Sequence, residues 1–293
     1  MLNYESIDEL CREAEARGCS ISSVVLSDHA AQMEESEQAL YDRMAQRLQI
    51  MRESVQGGMN PDLRSTSGLS GGDAAKMNAH ARNQSVFGEF FERAMARTLA
   101  VSEYNAAMGR IVAAPTAGSC GILPGVVVSM LEDGRCSEQA AVLSLFTAGA
   151  FGMVIAALAS VSGAQGGCQA ECGAASAMAA AALVELRGGT PRQAAHACAM
   201  AIKSQLGLVC DPVAGLVEIP CIKRNVSGLA IACTSAEMAL AGIESKIPAD
   251  ECIAAMREVG NALPCALRET AQGGLAVTPT GLRLKEEVFG SVI

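Results

Sequence analysis

Aromatic side chains are nearly missing from this chain. There is no Trp, and only three Tyr and six Phe among 293 residues. Aromatic-rich nucleic-acid platforms are therefore excluded, and a net charge of −9 with no basic run excludes the electrostatic footprint such binding needs. No C-x-x-C pair occurs, although there are twelve cysteines, so a structural zinc site of the usual spacing is not expected. Histidine is rare as well. His29, His80 and His196 all fall within helical patterns and read as surface or satisfied core residues. No stretch alternates apolar and polar residues for long enough to suggest a strand. The N-terminal "MLNYESIDELCREAEARG" is charged and helical in pattern, unlike a signal peptide. The expected compartment is a reducing cytoplasm, where cysteines serve as small core residues, metal ligands or nucleophiles.

What the chain does have is Ala, Leu, Val, Ile and Met. Half of the residues are apolar, and these types suit closely approaching helices. Ser6 and Glu9 suggest a capping box, and Gly18 a stop. Helical spacing runs from about Ser27 to Val55 and again from Lys76 to about Met108. Further helices are expected at about 125–132, 137–161, 171–187, 191–206, 226–243 and 249–262. The uncharged segment from Gln139 to Ala170 is long enough to cross a bilayer. Its Ala, Gly and Ser content and the interruption "SVSGAQGG" favour a buried core helix instead, so no membrane partner is expected. The expected fold is all-α: one helical domain spanning 1–293, with Gly/Pro-rich loops converging on one site. Those loops are Gly57–Lys76, Arg110–Gly125, Leu206–Asn225 and Leu267–Gly281.

Four cysteines stand in unusual settings. Cys168 and Cys172 are one helical turn apart, which fits two ligands or two core thiols equally. Cys210 and Cys221 each lie beside proline, where backbone rather than packing aims the side chain. Three widely spaced thiolates suit an iron–sulfur cluster with one iron left open. Asp211, Glu218, Lys223 and Arg224 crowd round these cysteines, either as solvated charges or as groups that tune a cluster. "PTAGSCG", Pro115 to Gly121, offers small residues, hydroxyls and backbone N–H groups ahead of a helix, which suits an anion.

Taken together these stretches resemble the alpha subunit or domain of the iron–sulfur-dependent L-serine dehydratases. The likeness rests on "STSGLSGGDAAKM", "NAAMGRIVAAPTAGSCGILPG", "SGAQGGCQAECGAASAMAAAALVEL", "LGLVCDPVAGLVEIPCIKRN" and "ALPCALRETAQGGLAVTPTG", in the family's order, from about residue 35 to about residue 285. The resemblance implies a [4Fe-4S] cluster on Cys168, Cys210 and Cys221, with no pyridoxal phosphate. It implies loss of water from L-serine, giving pyruvate and ammonia. Thr116, Gly118, Ser119 and Asn225 are the expected substrate-binding residues. Ser67 and Lys76 are the expected catalytic ones, Lys76 acting as a base if desolvated. Single-chain members carry a beta domain with a Ser-Ser-His signature, absent from these residues, so a separate beta subunit is expected. The family usually has Glu where this chain has Gln165. A related cluster lyase such as a cysteine desulfidase, or a non-enzymatic iron–sulfur protein, is the alternative.

Overall fold

In the computed structural model, residues 4–81 and 85–290 are described. Among them thirteen α-helices account for nearly all regular structure, and no strand forms beyond an isolated bridge between Cys210 and Arg268. The helices are α1 Ile7–Arg17, α2 Ile21–Met33, α3 Glu37–Gly58, α4 Asp73–His80, α5 Glu89–Ala106, α6 Ile122–Glu132 and α7 Glu138–Leu158. Then come α8 Gly163–Gly166, α9 Ala174–Leu186, α10 Pro191–Lys203, α11 Cys221–Leu240, α12 Ala249–Ala262 and α13 Pro279–Phe289. The all-helical expectation holds.

Local chemistry sets many of the boundaries. The Ser6 hydroxyl accepts from the Glu9 amide, and Gly18, at φ 62°, closes α1 in the left-handed conformation. The return arm of the expected box lands one residue early, since the Glu9 carboxylate accepts from the Glu5 amide at 2.6 Å. Thr190 and Gln193 complete a reciprocal box on α10, with Pro191 in its first turn. The continuous helix expected from Ser27 to Val55 is two helices. Glu34 adopts a left-handed conformation at φ 55°, and Ser36 caps α3 afresh. The helix expected from Lys76 to Met108 is likewise divided into α4 and α5. The α11 helix starts at Cys221, five residues earlier than expected.

α9 is the central element. Its run from Ala174 to Val184 is buried without a gap, and it packs against α6, α7, α10 and α11. Alanines lose no side-chain entropy on burial and let helix axes come close. The closeness is measurable at Gly228 on α11, where a Cβ would stand 2.4 Å from the Ile122 side chain and 2.9 Å from the Ser176 hydroxyl. α7 is long and apolar enough to cross a membrane by length and composition, yet 67% of its most apolar window is buried inside the protein. It is a core helix, with Phe151 among the largest fully buried side chains. The two ends of the fold are joined by Asp250 of α12, whose carboxylate accepts from the amides of Ile7 and Asp8 at the start of α1, at 2.7 and 3.1 Å.

Candidate cluster site

Between α8 and α9 the chain makes a π-helical turn, Gln169–Gly173. Such a widened turn is rare and is concentrated at functional sites. Gln169 pins it: its amide donates to the Leu208 carbonyl, its side-chain oxygen accepts from the Gly207 amide, and its side-chain nitrogen donates to the Met256 carbonyl. Cys168 precedes the turn and Cys172 lies within it, their sulfurs 3.7 Å apart. The turn also carries Glu171 inward.

The ligand atoms of Cys168, Glu171 and Cys210 all lie within 4.8 Å of one another, and all three residues are buried. Cys210 reaches this position because its backbone is held from both sides. Its amide donates to the Leu267 carbonyl at 2.9 Å, and its carbonyl accepts from the Glu269 amide at 2.8 Å. Arg224 supplies positive charge beside Cys168, pairs with Asp211 at 2.8 Å and donates to the Val209 carbonyl. Hydrogen bonds from the Cys172 and Cys210 thiols, with Arg224 alongside, draw the Cys168 thiol well below its ordinary value. Cys172 and Cys210 are pushed up as the matching donors, and burial adds to this. Glu171 is raised to about 7 by burial and by the neighbouring Cys168 charge. Cys221 lies outside the 4.8 Å group. Burial pushes it up to about 12, and the charges of Cys168 and Glu171 add to the push. This buried, sulfur-rich donor set fits a thiolate-held iron centre far better than a hard-cation site, which would be built from oxygen.

The family described as "Serine dehydratase alpha chain" matches residues 16–276. The chain belongs to that family. A relative named "Probable L-serine dehydratase, alpha chain", from Bacillus subtilis, is 47% identical over 99% of this chain and 97% of its own length. The "L-serine dehydratase, alpha chain" of Peptoniphilus asaccharolyticus is 43% identical over 98% of both. The "L-serine dehydratase" of Streptomyces coelicolor is 39% identical, and the match spans 94% of this chain but 61% of that protein.

The four loops meet at the segment 206–225. Ser67 and Ser70 donate to the two oxygens of the buried Glu218 at 2.7 and 2.5 Å, which ties in the first loop. Asn225 ties in the second: its oxygen accepts from the Gly121 amide, and its nitrogen donates to the carbonyls of Gly118 and Cys221. The last loop is held at Cys210, and again where Asp211 accepts from the Leu275 amide at 2.8 Å.

Several of the expected site residues have partners within the chain. Asn225 is 1% exposed, and both polar atoms of its side chain are engaged by backbone groups, so it braces the loops against one another. The Ser67 hydroxyl is committed to Glu218. The Lys76 side chain is 77% exposed and pairs with Asp73 at 2.9 Å, so it is not desolvated within this chain. Thr116 and Ser119 share a hydroxyl–hydroxyl contact of 3.1 Å in the cradle, and Gly118 lies between them with its carbonyl on Asn225. Gln165 is exposed, accepts from Ser160 at 2.7 Å and lines a separate cavity of about 340 Å³ with Arg257 and Arg268. Of the four charged residues expected round the cysteines, Asp211, Glu218 and Arg224 are drawn into the structure, while Lys223 is exposed and pairs with Asp73.

Glu171 escaped the sequence reading. Its signal was a carboxylate three residues after Cys168 in an otherwise uncharged helix start. A charge in that setting is worth explaining, because burying one without a partner is expensive.

Proposed function

We propose that this chain is the cluster-bearing alpha component of an L-serine ammonia-lyase, eliminating water from L-serine to give pyruvate and ammonia. The observation that carries this reading is the meeting of Cys168, Cys210 and Glu171 in a buried group inside a chain of the serine dehydratase alpha family. Cys168, Cys210 and Cys221 would hold a [4Fe-4S] cluster. When bound, the cluster supplies a Lewis-acidic iron suited to the poor hydroxide leaving group of serine.

The chain's own residues do the rest. The Thr116–Ser119 turn presents hydroxyls and a small-residue backbone suited to the substrate carboxylate. Asn225 fixes that turn against Cys221, so carboxylate and cluster keep one spacing. Burial of the thiols and of Glu171 keeps bulk water from the reacting hydroxyl. Ser67 bounds the other side through its bond to Glu218. Lys76 becomes a base once a covering chain desolvates it.

A beta chain fits that requirement. The Bacillus and Peptoniphilus alpha chains match nearly end to end, whereas the longer Streptomyces relative has sequence left over. The reading places the complex in a reducing cytoplasm, where thiol ligands persist.

The test is anaerobic reconstitution of alpha with beta chain, following pyruvate and ammonia from L-serine. Serine at Cys168, Cys210 or Cys221 should abolish iron uptake and turnover, while Cys172→Ser should keep the cluster. Full iron content in Cys210→Ser would sink the ligand assignment. Release of sulfide from cysteine, with no pyruvate from serine, would replace the reaction by desulfidation.

A further inference from the structure

Glu171 has no cationic side chain among the described residues as an ion-pair partner, although it is 8% exposed. Its neighbours are two thiols, the Thr116 hydroxyl and two glycines. The glycines make the room. A Cβ at Gly118 would stand 3.1 Å from one carboxylate oxygen. A Cβ at Gly163 would stand 2.8 Å from the other and 3.0 Å from the Cys210 sulfur. Both approaches are tighter than a settled side chain accepts. The space round the carboxylate is therefore shaped on two sides, and the carboxylate shares the wall on which Cys168 and Cys210 present sulfur.

A buried, unpaired carboxylate needs a positive partner or a proton. A cluster with only three cysteine ligands has one iron in need of a donor. Cys172 is the other spare donor nearby, but its thiol is engaged with Cys168 and packs into the apolar core. We infer that Glu171 is a fourth protein ligand: in the resting enzyme its carboxylate holds the iron that no cysteine reaches, and substrate displaces it. This rests on the three-thiolate reading above. The Thr116 hydroxyl, within hydrogen-bonding reach of Glu171, gives the released carboxylate somewhere to go and links its release to the cradle.

The experiment uses the alpha–beta complex reconstituted anaerobically with iron-57 and transferred to water labelled with oxygen-17. In the reduced resting wild type, no solvent oxygen should couple to the cluster spin. In Glu171→Ala and Glu171→Gln, water takes the vacated position and the coupling should appear. Both variants should also lose the fourth iron in air about 10-fold faster or more, a change of the size seen when a metal site loses a supporting group. L-serine should shift the Mössbauer signal of one iron in the wild type, and the serine-bound spectra of wild type and Glu171→Gln should coincide. Solvent oxygen on the resting wild-type iron overturns the inference, as does an unchanged air lifetime in Glu171→Gln. The wild-type measurement decides the matter even if both variants fail to fold. A wild type that takes up no cluster would instead refute the three-thiolate reading, so the two failures are distinct.

Discussion

At Gly163 a single hydrogen, in place of a methyl group, sets how closely Glu171 and Cys210 approach the start of α8. Gly163→Ala forces a Cβ to 2.8 Å from a Glu171 carboxylate oxygen and 3.0 Å from the Cys210 sulfur. Overpacking of this kind costs about 1–3 kcal/mol. Chemical denaturation should show that loss, and iron content after reconstitution should fall while the helical circular dichroism stays unchanged. Gly149 of α7 is the control. A Cβ there meets nothing within 4 Å, and its backbone is not left-handed. Gly149→Ala should stabilise by about 0.5–1 kcal/mol, because alanine loses less freedom in a helix. Equal stability of Gly163→Ala and wild type would mean that the Glu171 and Cys210 side chains give way without strain.

The central helix α9 packs against α6, α7, α10 and α11, and Glu185 near its C-terminus ties it to α2 as well. One carboxylate oxygen accepts from the Thr147 hydroxyl of α7 at 2.6 Å and from the Ser22 amide of α2 at 3.3 Å. Burial raises the Glu185 pKa above its ordinary 4.5 despite these donors. The folded state therefore holds this proton more tightly than the unfolded chain does. Its contribution to stability is complete below pH 4.5 and is lost as pH rises through the raised folded value. Glu185→Gln keeps an acceptor and carries no charge. Its melting temperature should exceed that of the wild type in mildly alkaline buffer, with the gap closing as pH falls toward 4.5. A gap that widens on acidification would reverse the sign of the burial argument. Helices of this kind were legible where a side chain announces an end, as at Ser6 and Gly18. The break at Glu34 was not, because a glutamate in left-handed geometry leaves no periodic trace, and only the Ser36 cap hinted at it. The same limit governs the site. Cys210 was legible from the proline near it, while Glu171 depended on a π-helical turn that no spacing reveals. Asn225 was legible as important, yet its partners are backbone atoms that only the folded chain brings within reach.

Across the whole molecule, Asp250 holds α1 to α12 through two amide hydrogen bonds spanning some 240 residues of sequence. A carboxylate at a helix start gains from both the free N–H groups and the helix dipole. Asp250→Ala should cost about 1–2 kcal/mol and appear as a lower denaturation midpoint. Iron content should not change, since the clasp does not reach the thiols; a parallel loss of iron would show that the two are coupled. The cluster site is similarly scattered along the chain. Cys168 and Cys172 are shaped by Leu208 and Met256, and Cys210 is held by Leu267 and Glu269. At a synthesis rate of roughly 5–20 residues per second, Cys168 leaves the ribosome on the order of 5–20 s before Glu269 does. During that interval its thiol has neighbours but no finished pocket. On the proposed reading, cluster delivery would come only after the last loop is in place, and these cysteines would have to stay reduced and uncommitted until then.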